Sequence, residues 1–193
     1  GYKIEEERMG VIIQEVVGRA HGRWFYPDFS GTAQSYNWYP VSYIKPEDGF
    51  CVAAIGLGAY VVDAGECFRF CPLYPKLDIL SPENQLSSSQ NSFYAIDLEK
   101  GDIDLLEGEK ICYSVLDLEE AEKDGTLKDL VSTYDFANNR LVPGTNIAGT
   151  RIANFAPILK YDVHPFAEVV KAVLELGSKS MGTPVEIEYS VNL

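Results

Sequence analysis

Hydrophobic and polar positions alternate most clearly over residues 185–193. Apolar side chains occupy every second position there, and the positions between them are polar: Glu186, Glu188, Ser190 and Asn192. Because successive side chains of a strand point to opposite faces, this pattern predicts a half-buried β-strand with one polar face. On such a strand Glu186 and Glu188 leave the same face, roughly 6.6 Å apart along the backbone.

One segment has the periodicity of a helix. Apolar residues at i, i+3, i+4, i+7 and i+8, beginning with Phe166, predict an amphipathic helix over Pro165–Ser180. Proline is favourable at the first helical position, and Gly182 and Pro184 are typical of a helix end.

Short apolar runs bounded by glycine and proline predict strands. These are Val11–Val17, buried on both faces, and Phe50–Ile55, Ser92–Leu98, Lys110–Leu116, Leu130–Tyr134 and Arg151–Leu159. The aromatic, turn-rich segment 19–49 predicts further short strands, and Asp117–Lys123 a short helix. We expect residues 1–9 to be a polar leader and residues 71–92, rich in proline and serine, to be a loop or insertion.

Charge and length narrow the classes of function. The 193 residues include 16 Lys+Arg against 29 Asp+Glu, a net charge of −13. The length suits one domain with a core of its own. Nucleic acids and anionic membranes are bound through lysine and arginine, so the acidity argues against both, while leaving room for one small phosphorylated ligand. Since no membrane-spanning run or signal peptide is visible, we expect a cytoplasmic protein.

The four cysteines do not match a metal site. Cys67 and Cys71 have C-x3-C spacing, which differs from the paired C-x2-C zinc signature, and no histidine is near them. Cys51 and Cys112 lie in apolar runs and resemble small buried hydrophobic residues. We therefore expect reduced thiols.

Glu186 and Glu188 are the sharpest candidate site in the sequence. Two carboxylates on one strand face can converge on a hard cation such as Mg²⁺, and Asn192 could add an oxygen ligand. A solvated strand face produces the same alternation, so the spacing alone leaves both interpretations open.

Two other segments have features of nucleotide binding. Gln14–Val17 ends a predicted strand, where exposed backbone groups can pair with an adenine edge, although a plain core strand also fits. Gly56-Leu57-Gly58 follows Phe50–Ile55, and glycines there let backbone N–H groups approach a phosphate. Without a third glycine or a lysine, a tight structural turn is the simpler interpretation. His21 and His164, the only histidines, stand in no visible catalytic arrangement.

Five segments together carry a resemblance to a known family. In chain order they are Val11–Val17, Phe25–Ala33, Gly56–Gly58 with Val61-Val62, Phe155–Leu159 and Gly182–Tyr189. In order and spacing they resemble the nucleotide-binding domain shared by phosphoenolpyruvate synthase and pyruvate, phosphate dikinase. The resemblance implies an α+β, ATP-grasp-like partial domain over residues 1–193, mainly antiparallel sheet with few packing helices.

The resemblance also implies roles for particular residues. Gln14, Glu15, Val16 and Val17 would form the hinge whose backbone binds the adenine of ATP. Ser30–Ala33 would begin the strand behind the nucleotide. Glu186 and Glu188 would bind Mg²⁺ on the phosphates, where the family commonly has Asp-Ile-Glu. Ala59 stands where many members have the glutamate of G-L-G-E.

At the level of function the resemblance implies an ATP-dependent phosphotransferase. The parent protein would transfer phosphoryl groups from Mg-ATP to a histidine on another domain, for phosphoenolpyruvate formation from pyruvate. The family's lysine- and arginine-bearing subdomain would precede Gly1, and its glutamine and arginine segment would follow Leu193. We therefore expect this chain to be a portion with no catalytic residue, inactive alone, whose partners are ATP and the parent's remaining domains.

Two further expectations concern assembly and the main alternative. A face that normally meets a second lobe would be apolar and exposed here, which predicts a homo-oligomer. The alternative function is a non-catalytic nucleotide-binding or regulatory interaction module with the same fold, using segments 24–39 and 71–92 as a partner surface. An ATP-grasp ligase fits the five segments less well.

Overall fold

The structure, a computed structural model, describes residues 10–63, 65–101, 104, 106 and 108–193. Within them the chain forms eleven strands: β1 (Arg19–His21), β2 (Trp24–Tyr26), β3 (Phe29–Gln34), β4 (Phe50–Ile55), β5 (Phe68–Phe70), β6 (Ser92–Asp97), β7 (Tyr113–Asp117), β8 (Ser132–Asp135), β9 (Arg140–Pro143), β10 (Thr150–Ile152) and β11 (Glu186–Val191). The described α-helices are α1 (Ala59–Val62), α2 (Pro82–Ser87), α3 (Leu118–Lys123), α4 (Ala156–Lys160) and α5 (Phe166–Met181). The predicted leader over residues 1–9 lies outside the described part of the chain.

The strands form three sheets, ordered β1-β2-β6-β7, β11-β3-β4-β5 and β10-β8-β9. All the strand pairings in these sheets are antiparallel. The fold is therefore mixed α and β, with mostly antiparallel sheets and few helices, as the sequence predicts. No helix in the described ranges is both long and apolar enough to cross a membrane.

The core lies between the sheet β11-β3-β4-β5 and helix α5. Phe29 of β3 is fully buried, with its ring 4.9 Å from the ring of Phe166 and 5.4 Å from that of Phe155. Phe166, Val170 and Leu174 form the buried side of α5, so the predicted helix is confirmed, whereas Val169 and Val173 of its predicted apolar face are exposed. The helix ends at Gly182, whose left-handed φ of 66° suits glycine.

The predicted strand over Val11–Val17 is wrong. Residues 10–18 have no regular secondary structure, and residues 11–17 are exposed, with Ile13 at 93 % exposure. β-branched residues favour strands only where a neighbouring strand pairs with the backbone and covers one face. No element in the described part of the chain does so for this segment.

The predicted strand over Arg151–Leu159 is only partly correct. Strand β10 ends at Ile152, and α4 begins at Ala156. Between them Phe155 adopts a left-handed conformation with φ 54°, which turns the chain out of the strand direction. Pro157 then lies in the first turn of the helix, where its missing N–H costs nothing.

The remaining predictions match the structure with small shifts in boundaries. Strands β4, β6, β7 and β8 overlap the predicted ones, although a 3-10 turn over Glu109–Cys112 precedes β7. Helix α3 is present and is followed by Gly125 with φ 79°. The segment 71–92 is not wholly a loop, because it contains α2, whose N-cap Ser81 accepts a hydrogen bond from the Asn84 N–H.

Candidate functional site

Glu186 and Glu188 lie on the exposed face of β11, an edge strand of its sheet. The opposite face of β11, with Ile187, Tyr189 and Val191, packs against the core. The alternation predicted for this strand is therefore confirmed. Neither carboxylate forms an ion pair or a hydrogen bond with another described residue, so both are available to a ligand.

Strand β3 supplies a second column of polar side chains beside the carboxylates. The register pairs Glu186 with Gln34, Glu188 with Thr32, and Ser190 with Ser30. Directly opposite residues on antiparallel strands share a face, with Cβ atoms roughly 4.5–5.5 Å apart. Amide and hydroxyl groups therefore flank the two carboxylates on the same surface.

The same face continues across the sheet to Arg69. Thr32 lies opposite Val52 of β4, and Val52 lies opposite Arg69 of β5. Glu188 and Arg69 consequently stand in one row, three strand spacings or roughly 14 Å apart. The sheet thus presents carboxylates near one edge and a guanidinium near the other.

Gly56-Leu57-Gly58 connects β4 to α1 at one end of this face. The Ser30 hydroxyl donates to the Gly56 carbonyl at 2.8 Å, which attaches the connection to β3. The Leu57 N–H donates to the Tyr94 carbonyl at 3.1 Å, and the Gly56 N–H to the Asp28 carbonyl at 3.5 Å. Because both N–H groups are engaged, the structure favours the tight structural turn over a phosphate-binding loop.

Gln14–Val17 do not belong to the sheet that carries the carboxylates. They are exposed and precede β1 without regular structure. The next residue, Gly18, accepts a hydrogen bond through its carbonyl from the Asn192 side-chain amide at 3.3 Å, just after β11. The structure therefore does not form the buried hinge strand that the sequence predicts.

The carboxylate pair suits one mode of cation binding. Within the described ranges no three His, Cys, Asp or Glu side chains converge into a complete metal-binding group. Mg²⁺, however, is commonly held by one or two carboxylates together with waters and the phosphates of a substrate. The exposed pair Glu186 and Glu188 fits that incomplete ligand set, in which the substrate supplies the remaining oxygens.

A cavity of about 430 Å³ lies beside the other edge of the same sheet. Its walls come from β5, the loop after β3, the segment 77–90 and residues 152–154. The sequence does not predict this cavity, although segments 24–39 and 71–92, which the alternative function uses as a partner surface, both contribute residues to its walls. The volume lies within the range of small-molecule sites.

The histidines and cysteines do not form a nucleophilic site in the described part of the chain. His21 stacks on Tyr26, with ring centroids 4.5 Å apart, and His164 Nε2 lies 3.9 Å from the Asp129 carboxylate. All four cysteines carry free thiols. Burial raises the pKa of the Cys51, Cys67 and Cys71 thiols, which keeps them protonated and unreactive near neutral pH.

The described residues therefore present two neighbouring exposed carboxylates on β11 and an aromatic cavity beside β5. Comparisons with protein-family models, curated proteins and solved structures find no match for this chain.

Proposed function

We propose that this chain is the ATP-binding portion of a phosphotransferase that resembles phosphoenolpyruvate synthase and pyruvate, phosphate dikinase. The observation that carries the proposal is the pairing of β11 with β3, which sets the exposed Glu186 and Glu188 beside the half-buried Thr32 and Gln34 on one face. Three of the five resembling segments therefore meet on a single sheet, since Gly56–Gly58 adjoins β3 through Ser30. In this proposal the sheet is one lobe of an ATP-grasp fold.

In the proposed site Glu186 and Glu188 would hold the Mg²⁺ that accompanies ATP. Bound Mg²⁺ would neutralise charge on the phosphate oxygens, which favours phosphoryl transfer. Thr32 and Gln34 can donate hydrogen bonds to oxygens on the same face. The exposed backbone of Gln14–Val17 remains the proposed contact to adenine.

The chain contributes binding and orientation, and no catalytic residue is assigned to it. In the parent enzyme, a kinase-type transferase, phosphoryl groups pass from Mg-ATP to a histidine on another domain and then serve phosphoenolpyruvate formation from pyruvate. Fixing the reacting groups in line supplies much of the rate enhancement of such transfers. Free thiols throughout the chain support a cytoplasmic setting for the parent.

One observation favours the alternative, a nucleotide-binding or regulatory interaction module. Trp38 and Tyr39, at the cavity beside β5, are 71 % and 88 % exposed. Exposed aromatic clusters of this kind are typical of surfaces that meet a ligand or partner. Ala59, in place of the glutamate common in the family, removes a carboxylate from the nucleotide side.

The test is calorimetric titration of Mg-ATP into the longest natural polypeptide that contains this chain. We expect the double substitution Glu186→Gln and Glu188→Gln to weaken the affinity at least tenfold with Mg²⁺ and to have little effect without it. Glu168→Gln is the matched control, because Glu168 is exposed on α5, across the core from this face. The isolated chain should bind weakly or not at all.

Each outcome has a distinct meaning. Equal Mg-ATP affinity with and without the double substitution would refute the metal site. Absence of ATP binding to the full polypeptide would refute the proposed function. ATP binding without transfer of labelled phosphate to a histidine would favour the interaction module. Micromolar affinity in the isolated chain would contradict the need for a second lobe.

A further inference from the structure

The cavity beside β5 has walls built largely from aromatic and aliphatic side chains. Twenty-three described residues line it, of which the apolar majority includes Trp38, Tyr39, Phe50, Phe68 and Phe70. Flat rings on several sides favour a ligand with an aromatic or otherwise apolar body.

The uncharged polar residues at the rear of the cavity are already satisfied. The Gln90 side chain accepts from the Ile55 N–H at 2.8 Å and donates to the Ile55 and Ser92 carbonyls. The Asn154 amide donates to Gln85 Oε1 at 3.1 Å. Because the Gln90 and Asn154 side chains already form hydrogen bonds within the protein, a ligand needs no polar group to satisfy them.

Charge in the cavity is confined to two residues. Among the described lining residues only Asp78 and Arg69 are of the acidic or basic types. The Lys160 ammonium forms an ion pair with the Asp78 carboxylate, which offsets its charge. Arg69 is exposed and has no ion-pair partner among the described residues, so its positive charge is not compensated by a neighbouring carboxylate.

The positive charge of Arg69 lies at the wall of the cavity that the sheet forms. Arg69 lies on the same sheet face as Phe50 and Gln34, both of which also line the cavity. A guanidinium presents a planar fork of donors that matches a carboxylate or a similar oxyanion. An apolar cavity with one such group at its wall is complementary to a molecule with an apolar body and a single anionic head.

Several apolar side chains at the opening of the cavity are exposed to water. Trp38, Tyr39, Val41, Ile79 and Leu80 all line it and are all left exposed. Leaving this much apolar surface in water is unfavourable, and a ligand that covers it would gain hydrophobic free energy.

We propose that this cavity binds a small organic monoanion with an aromatic or aliphatic body, anchored by Arg69. Glu186 and Glu188 do not line the cavity, so the inference does not rest on the proposed function, although Gln34 lies both on the cavity wall and beside Glu186. A net charge of −13 would disfavour anions in general. This makes the unpaired guanidinium of Arg69 the determinant of selectivity.

The test compares 4-phenylbutyrate with its neutral amide, 4-phenylbutanamide, in the absence of nucleotide. Trp24 and Trp38 are the two tryptophans of the chain, so a Trp24→Phe background leaves Trp38 as the only tryptophan reporter. We expect saturable quenching of Trp38 fluorescence, with the anion bound about tenfold more tightly than the amide.

Variants at Arg69 isolate the charge. Arg69→Gln should remove the preference for the anion, and Arg69→Lys should retain part of it. Lys179→Gln is the control, because it removes one exposed positive charge from the end of α5 without touching the cavity. Unchanged melting temperatures would show that each variant folds.

Three results would overturn the proposal. The first is equal binding of anion and amide, the second is an anion preference that survives Arg69→Gln, and the third is no quenching by either compound at millimolar concentration. If light scattering instead shows a dimer that Trp38→Ala dissociates, the exposed aromatic surface belongs to a second copy of the chain. That result would also overturn the proposal.

Discussion

Replacing Asn154 with alanine should remove a buried junction between three parts of the fold. The Asn154 side chain is 3 % exposed, and its Oδ1 accepts from the Ser132 hydroxyl at 3.0 Å and from the Ala156 N–H at 3.2 Å. Its Nδ2 donates to Gln85 Oε1 at 3.1 Å. One amide therefore connects β8, the start of α4 and α2.

The magnitude follows from these three hydrogen bonds. Each neutral hydrogen bond contributes about 0.5–1.5 kcal/mol net, and a buried partner left without one costs about 1–3 kcal/mol. The Ser132 hydroxyl can rotate to another acceptor, so not every partner of Asn154 is orphaned in full. We expect the free energy of unfolding to fall by about 3 kcal/mol, a large part of the roughly 5–15 kcal/mol typical of a domain.

Urea denaturation followed by circular dichroism measures this loss directly. Asn146→Ala is the control, since Asn146 is exposed and a surface change of this kind stays within about 0.5 kcal/mol. Combining Asn154→Ala with Gln85→Ala should cost less than the sum of the two single changes, because both remove the same hydrogen bond. A loss below about 1 kcal/mol for Asn154→Ala would refute the junction that we infer from these contacts.

Two further predictions concern pH and backbone conformation. The Arg151 guanidinium lowers the pKa of the Glu122 carboxyl below its ordinary value of 4.5, so their ion pair stabilises the fold above that pH and is lost as pH falls through the lowered pKa. Wild type should therefore lose more stability than Arg151→Met between about pH 5 and about pH 3 in urea titrations, and equal slopes would contradict this. Gly56→Ala should destabilise the fold by about 1–3 kcal/mol more than Gly108→Ala, because both glycines have positive φ but only a Cβ at Gly56 would lie 2.7 Å from the Phe93 ring. Equal thermal shifts for the two variants would mean that φ alone sets the cost.

The hydrophobic pattern of the sequence predicts correctly those helices and strands whose conformation is determined mainly by their own residues. Helix α5 has an apolar stripe in its first half and a glycine at its end, and β11 alternates over its whole length, so the bounds of both agree closely with the prediction. Strand β4 matched because an apolar run bounded by glycines has few other stable environments.

The two wrong strand predictions have the same physical cause, because the conformation of each segment depends on residues outside it. Val11–Val17 has the composition of a buried strand, but its conformation depends on a partner strand that no described element provides. In Arg151–Leu159 the apolar run continues across Phe155, whose left-handed backbone is fixed by its buried position, where its N–H donates to the Leu130 carbonyl at 2.8 Å. Neither constraint is visible in the order of hydrophobic residues.

The residues of the candidate sites also differ in whether local sequence or tertiary structure determines their position. The exposed placement of Glu186 and Glu188 followed from alternation alone, whereas their neighbours Thr32 and Gln34 depend on the register with β3. The cavity beside β5 joins segments far apart in sequence, so only tertiary structure could reveal that Arg69 shares a wall with Phe50.

The pairing of β11 with β3 also has a consequence for biosynthesis. The Val185 N–H meets the Ser35 hydroxyl across 150 positions of the chain. At about 5–20 residues per second, a ribosome needs roughly 8–30 s to make the stretch between these strands. During that interval the edge of β3 has no β11 to cover it, and an unpaired edge invites association with other chains. Slow translation or a holding chaperone should therefore affect the yield of this protein more than it would affect one built from local hairpins.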